Sequence, residues 1–233
     1  MMVLLAAYFA LTYFLGGIVK GGVNRFGPKL TGTRVELASA TISPLSGTGS
    51  LGGFTVGNPE GWSGNPAFYL GKVHVDLEPR SVFGDVIVIN ELIIDQPEFN
   101  YETRFVSSNL GDLLAHIEKY TGSGEKESAK AGGPAKKFIV KKLRFTNGKA
   151  TIGVGVAALL VPLPEIKLDN LGVAEGGLTG GQVSVVVTRD VLRTVVKAAT
   201  EARGLTGADS YEKVKEAAKQ FGDSVQDLFK KKP

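Results

Sequence analysis

Val86–Asp95 reads VIVINELIID and is the strongest β-strand signal in this chain. Apolar and β-branched residues dominate it, which is typical of a strand packed in a sheet. Gln96-Pro97 follows, and we expect this pair to turn the chain so that residues 98–106 return as a second strand. The segment therefore predicts a strand-rich domain around it.

The same pattern recurs 51 residues later, where residues 143–152 align with residues 92–101. Each copy consists of an apolar strand, a two-residue turn and a second strand. Asn147-Gly148 forms the turn of the second copy, and this dipeptide is a strong hairpin signal. We interpret the repeat as two similar β units. The polar, glycine-bearing residues 121–137 between them are expected to form a flexible loop.

Further strand patterns lie on both sides of the repeat. Residues 33–42, 49–56, 68–77 and 159–168 are predicted strands. The alternation in residues 68–77 slips by one position near Gly71, which is typical of a bulge. Prolines at positions 162 and 164 confine the last of these strands to an edge or to bulged positions.

Three amphipathic helices are predicted in the body of the chain. Residues 109–120 place Leu110, Leu113, Leu114 and Ile117 on one face, after a cap at Ser108 or Asn109. Residues 189–203 form a second helix, and a third occupies most of residues 209–233. The third helix has apolar residues at heptad spacing: Tyr211, Val214, Ala218, Phe221, Val225 and Leu228. This seam fits packing on the protein's own sheet, a membrane surface, or pairing with a partner helix in a homo-oligomer or another envelope protein.

The N-terminal residues 2–19 contain no charge and would span about 27 Å as a helix, close to a bilayer core of about 30 Å. A retained transmembrane anchor explains this run best. A cleaved signal peptide fits less well, because the segment has no basic residue before it and no A-x-A site after it. A buried core helix is the third reading. The basic residues Lys20, Arg25 and Lys29 follow the run, and the positive-inside rule then favours a cytoplasmic body.

Signals for catalysis are weak throughout the sequence. The chain has no cysteine and two histidines, His74 and His116, neither with a partner at metal-ligand spacing. Gly47-x-Gly49-x-x-Gly52 matches a dinucleotide fingerprint by letter, but a strand follows it where the fingerprint needs a helix. No acidic pair or serine context indicates a dyad or nucleophile. We therefore predict a non-enzymatic protein with no catalytic residue, no cofactor and no metal.

The net charge of +4 is mild, and the basic clusters lack interleaved aromatic residues, so nucleic acid is not an expected partner. A solvated lysine surface explains the cluster around residues 136–144. Weak attraction to anionic lipid headgroups is the alternative.

Several turn-and-strand motifs resemble the AsmA-like family of bacterial envelope proteins. They are LTGT at 30–33, GGFTVxNPxG at 52–61, AFxL at 67–70, IxxLxIxxP at 89–97 and the Asn109-Leu110 helix start, with PLPEI at 162–166 similar to later parts of small members. The resemblance implies an inner-membrane anchor, a body in the periplasm, and a β-sheet groove that larger relatives use for lipid transport in outer membrane biogenesis. It implies no catalytic residue. About nine strands give a groove of only about 45 Å, which we consider too short to bridge two membranes alone. The protein is therefore expected to oligomerise, to work locally at one membrane, or to be a truncated scaffold.

The predicted fold class is α+β: an N-terminal transmembrane helix, a curved, mostly antiparallel, groove-like sheet, and a few amphipathic helices, two of them C-terminal. The predicted divisions are an anchor at 1–20, a β-rich unit with its helix at 30–120, the loop at 121–137, a second β unit at 138–188 and helices at 189–233. We expect a bilayer-anchored envelope protein that binds or moves lipid, or a scaffold that assembles through its C-terminal helices. The expected lipid-facing residues are Ile87, Ile89, Ile93, Val140 and Ile152.

Overall fold

The computed structural model describes residues 2–104, 107–128, 136–155 and 158–202, with side chains described from residue 12 onward and not at 123–128. Within these residues the fold is α+β, with three helices and a mostly antiparallel sheet curled into a half-barrel. The predicted helix within 209–233 lies outside the described residues, as do positions 129–135 of the predicted loop.

The elements follow one another in a simple order. The helices are α1 (Met2–Thr31), α2 (Asn109–Ser128) and α3 (Gly180–Ala202), and a 3-10 helix, η1, spans Pro79–Phe83. The strands are β1 (Val35–Ile42), β2 (Thr48–Gly57), β3 (Pro66–Leu77), β4 (Val86–Asp95), β5 (Glu98–Tyr101), β6 (Thr103–Arg104), β7 (Ser107–Ser108), β8 (Lys137–Thr146), β9 (Lys149–Ile152), β10 (Leu159–Pro162), β11 (Ile166–Leu171) and β12 (Leu178–Thr179).

The described residues form a ten-stranded sheet. Some of these strands, such as β4 and β5, follow one another along the same neighbour and are separated only by a short kink. β1, β2 and β3 form an antiparallel meander. β4 and β5 both pair with β3, and β8 and β9 lie beside them. β11 and the short β12 both pair with β8, and β10 pairs with β9, which completes the sheet. β6 and β7 form a separate two-stranded pair just before α2.

Gln96-Pro97 does not reverse the chain, so the predicted return strand is wrong. Both β4 and β5 run antiparallel to β3, with Asp95 opposite Lys72 and Glu98 opposite Tyr69. The antiparallel register is the same on both sides of the kink: three residues forward, from Asp95 to Glu98, correspond to three residues back on β3, from Lys72 to Tyr69. β4 and β5 are thus two halves of one long strand with a kink between them.

The 51-residue repeat is the register of a parallel pairing. β4 pairs with β8, and β5 with β9, so that Ile94 lies beside Phe145 and Glu98 beside Lys149. The predicted hairpin at Asn147-Gly148 is wrong, because β9 continues in the direction of β8. The two similar units predicted from the repeat are neighbouring strands of one sheet, and the chain returns between them through α2.

The interruptions form a row across the sheet. Gly53, Gln96 and Asn147 have φ values of 65°, 53° and 54°, in the left-handed region that a regular strand does not use. The backbone N–H of Gln96 donates to the carbonyl of Thr146 at 2.9 Å, which joins two kinks directly. Because neighbouring strands kink at the same level, the whole sheet bends there, and we attribute its curl to this row.

Helix α1 extends far beyond the predicted anchor and packs along β1. It contacts the strand with Gly16 against Ala40, Asn24 against Leu37, and Gly27 against Val35. A side chain at position 16 could not be accommodated, because its Cβ would lie 2.2 Å from the carbonyl oxygen of Ala40. Asn24 Oδ1 accepts the backbone N–H of Leu37 at 2.6 Å, which occupies a donor on the sheet's outermost strand.

No helix in the part of the chain that the structure describes is both long and apolar enough to cross a membrane. The first ten residues of the predicted span, 2–11, have no described side chains. The transmembrane anchor therefore stays a prediction.

Two other helix boundaries differ from those expected. α2 continues to Ser128, into the segment predicted as a loop, and α3 begins at Gly180, nine residues before the predicted start at Arg189. The first turns of α3 are rich in valine, which favours strands intrinsically. Packing against α2 and the sheet overrides this preference.

The kink at Gln96 yields a test by substitution. Gln96→Gly is expected to raise the free energy of unfolding by about 1 kcal/mol, since a left-handed conformation strains any residue with a Cβ. Gln96→Val should lower it by a similar amount. Urea unfolding followed by the fluorescence of Trp62 measures both. Lys72→Gly, at an exposed position in regular strand, is the control and should cost about 0.5–1 kcal/mol. If the two glycine variants lose stability equally, the kink is not strained.

Candidate functional site

One face of the sheet, here called the inner face, carries Val73, Ile94 and Phe145 and is covered by helices. α2 contributes Leu110, Leu113, Leu114 and Ile117, each at most 2% exposed. α3 adds Val185, Val191, Val195 and Ala198 to the same hydrophobic core. A ladder of aromatic rings crosses the sheet beneath them, from Phe54 through Phe68 and Phe99 to Phe145, with centroids 5.9–6.4 Å apart. The inner face is therefore a packed core rather than an open groove in this conformation.

The five residues expected to face lipid do not share one surface. Val140 and Ile152 are each 2% exposed and lie in the core. Ile89 packs against the main core and against a smaller cluster of Ile42, Val75 and Leu77. Ile87 and Ile93 are half-buried, and Ile93 lies between His74 and Arg144 of the neighbouring strands. The structure thus brings Ile89 and Val140 together as pairing partners and separates Ile93 from them.

The outer face of the sheet is polar. In one row of the ladder Lys72, Asp95 and Thr146 lie side by side, and in the next row His74 and Arg144 flank Ile93. Asp95 Oδ1 accepts hydrogen bonds from Asn147 Nδ2 at 2.8 Å and Thr146 Oγ1 at 2.9 Å. These bonds, that from Asn147 first, lower the pKa of Asp95 below its ordinary value. The carboxylate therefore holds the kink of the neighbouring strand and is not set up as a proton donor.

A partly buried ion pair connects the two helices on the inner face. Arg189 of α3 donates to Glu118 Oε1 of α2 at 2.6 Å, and the two side chains are 12% and 17% exposed. Arg189 Nε is buried and has no partner among the described residues. Close by in sequence, a Cβ at Gly181 would lie only 3.3 Å from the Cβ of Thr121. The start of α3 is thus pinned to the middle of α2.

A cluster of buried polar side chains lies where β5 leads into α2. Asn109 is fully buried: its Oδ1 accepts the backbone N–H of Glu102 at 2.9 Å, and its Nδ2 donates to Asn58 Oδ1 and the carbonyl of Asn100, both at 2.7 Å. The Glu102 carboxylate in turn accepts from Asn58 Nδ2 and from the backbone N–H and hydroxyl of Ser63. The cluster ties the β2–β3 connection to the start of α2.

A shallow cleft of about 440 Å³ opens beside this cluster. Its wall includes Trp62, whose Nε1 donates to Asp112 at 2.8 Å. The Arg104 guanidinium stacks over the Trp62 ring, with its central carbon 4.8 Å from the ring centroid. Both Glu102 oxygens are already occupied by hydrogen bonds within the protein. The arrangement can therefore fix local structure, but it presents no free carboxylate for acid–base chemistry.

The histidines behave as surface residues. His74 is exposed on the outer face, and His116 is exposed on α2 beside Gly32. In the described residues no three histidine or acidic side chains come together in a way that could hold a metal ion. The cleft does pair the Ser63 hydroxyl with the Glu102 carboxylate, but both carboxylate oxygens also accept hydrogen bonds from Asn58 Nδ2 or the Ser63 backbone N–H, which fixes the pair within the polar cluster.

Sequence reasoning missed the polar cluster. Asn58 stands in a sequence typical of a turn, before Pro59, and Asn109 is one of two predicted helix caps. The cap is Ser108, whose Oγ accepts the N–H of Gly111 at 3.1 Å. Glu102 carried no signal, because a single acidic residue after a strand is ordinarily solvated. The two asparagines are 51 residues apart and meet only through the fold.

Comparisons with protein-family models, with curated proteins and with solved structures found no match to this chain. The AsmA-like resemblance thus stays a prediction from the motifs.

Asn109 provides a test of the cluster. Asn109→Ala is expected to lower the free energy of unfolding by about 3 kcal/mol, because it leaves a buried backbone N–H and carbonyl without partners. Thermal and urea unfolding measure the loss. The exposed Asn65→Ala should change it by less than about 0.5 kcal/mol. Equal effects of the two substitutions would contradict a structural role for the cluster.

Proposed function

We propose that this chain is a non-enzymatic, membrane-anchored protein of the bacterial cell envelope. Its sheet extends from the inner membrane into the periplasm and binds or moves lipid. The alternative is a scaffold for envelope assembly that recruits partners through its C-terminal segment.

The continuity of α1 is the observation that carries this proposal. A single 30-residue helix contains the uncharged run at 2–19, and its residues from Gly16 onward dock on β1. The contacts at Gly16, Asn24 and Gly27 hold the helix against the sheet over about 17 Å. An anchor joined in this way orients the domain rigidly, whereas a signal peptide or flexible tether would not require such docking.

The composition of the inner face supports lipid as the ligand class. The rows beneath the helices are apolar from β3 to β11, including Val73, Ile94, Phe145 and Ile166. α3 covers part of this face with valine and alanine side chains, which bury less surface than leucine or phenylalanine. Its first nine residues, 180–188, are also poor in strong helix formers. Movement of α3 away from the sheet would uncover a continuous strip of acyl-chain width, so α3 is the expected gate.

The side of the membrane can be tested with reporter fusions at the C-terminus. A periplasmic body predicts an active alkaline phosphatase fusion and an inactive fusion to a cytoplasm-dependent fluorescent protein. The basic residues after the span favour the opposite result, so the experiment decides between charge and family likeness. An inactive phosphatase fusion, with the fluorescent fusion bright, overturns the periplasmic assignment.

A disulfide between α2 and α3 tests lipid entry. Thr121→Cys combined with Gly181→Cys places the two sulfur atoms within bonding reach, since the Cβ separation of 3.3 Å is close to the usual range of about 3.5–4.5 Å. The chain has no other cysteine to interfere. The full-length protein, in micelles containing a photoactivatable phosphatidylethanolamine, is illuminated in its oxidised and reduced forms, and labelled peptides are mapped by mass spectrometry.

If lipid enters beneath α3, labelling of the β8 and β11 peptides should fall at least about fivefold on oxidation and recover with reductant, as expected when a gate is closed. The single variant Thr121→Cys controls for the substitution and the oxidant. Labelling of the inner face that is absent in both forms contradicts lipid binding. Loss of partner capture on removal of residues 209–233 would then favour the scaffold.

A further inference from the structure

The end of the sheet from which α1 departs has two exposed apolar tips. We call it the α1 end and define it by the turn at residues 43–47 and the 3-10 helix η1 (Pro79–Phe83). The turn and η1 are neighbours: the Leu77 N–H donates to the Gly47 carbonyl at 3.2 Å, and Pro79 lies beside Gly47. Leu45 is 80% exposed at the tip of the turn, and Phe83 is 90% exposed at the end of η1.

The direction of α1 is fixed by its contacts with β1. Along the helix from Gly27 to Gly16 the contacts move along the strand from Val35 to Ala40. Eleven helical steps of about 1.5 Å and five strand steps of about 3.3 Å both amount to about 17 Å, so the two elements run side by side in opposite directions. Helix residues before Gly16 therefore travel toward the α1 end and pass it.

The predicted span consequently cannot be separated from the sheet by a linker. β1 ends at Ile42, only two residues beyond the position that contacts Gly16. Ten further helical residues, 2–11, project about 15 Å past that point, which is half of a hydrocarbon core of about 30 Å. Residues 12–19 lie beside the sheet, where Val19 packs against the cluster of Ile42, Val75 and Leu77. Only residues 2–11 can therefore enter a bilayer, and they do so only if the α1 end reaches the headgroup layer.

The surface of the α1 end suits such a position. Besides Leu45 and Phe83, the helix side chains Tyr13 and Phe14 are 86% and 63% exposed. Aromatic and aliphatic side chains of this kind are stabilised at the boundary between headgroups and acyl chains. The charged side chains around them are of both signs: Arg80, Lys136 and Lys137, and Glu78, Asp85 and Glu175. Such a mixture is easily solvated among headgroups, and Lys136 already donates to the Gly84 carbonyl.

We propose that the α1 end of the sheet rests in the headgroup layer of the membrane that α1 enters, with Leu45 and Phe83 inserted as two apolar contacts. This inference rests on the proposed anchoring and adds a second, independent set of contacts with the bilayer. Three features then fix the tilt of the domain: the helix, the turn and η1. The strands would rise from the membrane surface, so that the inner face and α3 start at lipid level.

The test uses single cysteines on the cysteine-free chain. Leu45→Cys and Phe83→Cys report on the α1 end. Leu160→Cys is the matched control, because Leu160 is 60% exposed on β10 at the opposite end of the sheet. Each full-length variant is labelled with the fluorophore NBD and reconstituted into vesicles of phosphatidylcholine and phosphatidylglycerol with and without spin-labelled lipid. Quenching and the emission maximum are then measured.

We expect blue-shifted emission and at least about twofold stronger quenching at positions 45 and 83 than at 160, as for side chains at the acyl boundary. The three labelled proteins should float with the vesicles equally. Flotation with equal, weak quenching at all three sites overturns the inference and leaves the anchor standing. Failure of all variants to float overturns the anchor and, with it, the inference.

Discussion

The parallel register between β4–β5 and β8–β9 is the interaction on which the rest of this structure depends. It places each residue of one long strand beside the residue 51 positions later. A parallel pair cannot be closed by a tight turn, so the chain must cross over, and the intervening segment includes α2. That crossover brings the leucines of α2 over the inner face, and α3 then packs beside α2.

The register also aligns the two central kinks. Gln96 and Asn147 are partners across the parallel pair, and both take the left-handed conformation. Asp95 strengthens the alignment by accepting hydrogen bonds from Thr146 and Asn147 on the neighbouring strand. A kink in one strand alone would break its ladder, whereas kinks at one level bend the ladder as a unit. The half-barrel shape follows from this coincidence.

The curled sheet has an inner face that helices cover and an α1 end at which Leu45 and Phe83 are exposed. The helices fill the inner face, and in the proposed function α3 is the element whose movement would give access to it. α1 closes the β1 edge and leaves the sheet beside Leu45. An edge that is capped by a helix with Asn24 bonded to its backbone is not available for pairing with another strand. The proposed membrane contacts therefore lie at the end of the strands and not along their edge.

Most strands and the leucine face of α2 were predictable from the sequence alone, because periodicity and β-branching report local burial. The bulge predicted near Gly71 is wrong, since the register shifts of β2 and β3 lie at Val56/Gly57 and Asp76/Leu77. Asn147-Gly148 predicted a hairpin, and Asn147 does take a left-handed conformation, but a dihedral angle does not say whether the strand beyond it reverses. Only the tertiary structure decided that, since the answer depends on which strand lies alongside. Likewise, Val140 and Ile152 were expected to face lipid, whereas the fold buries them in the core.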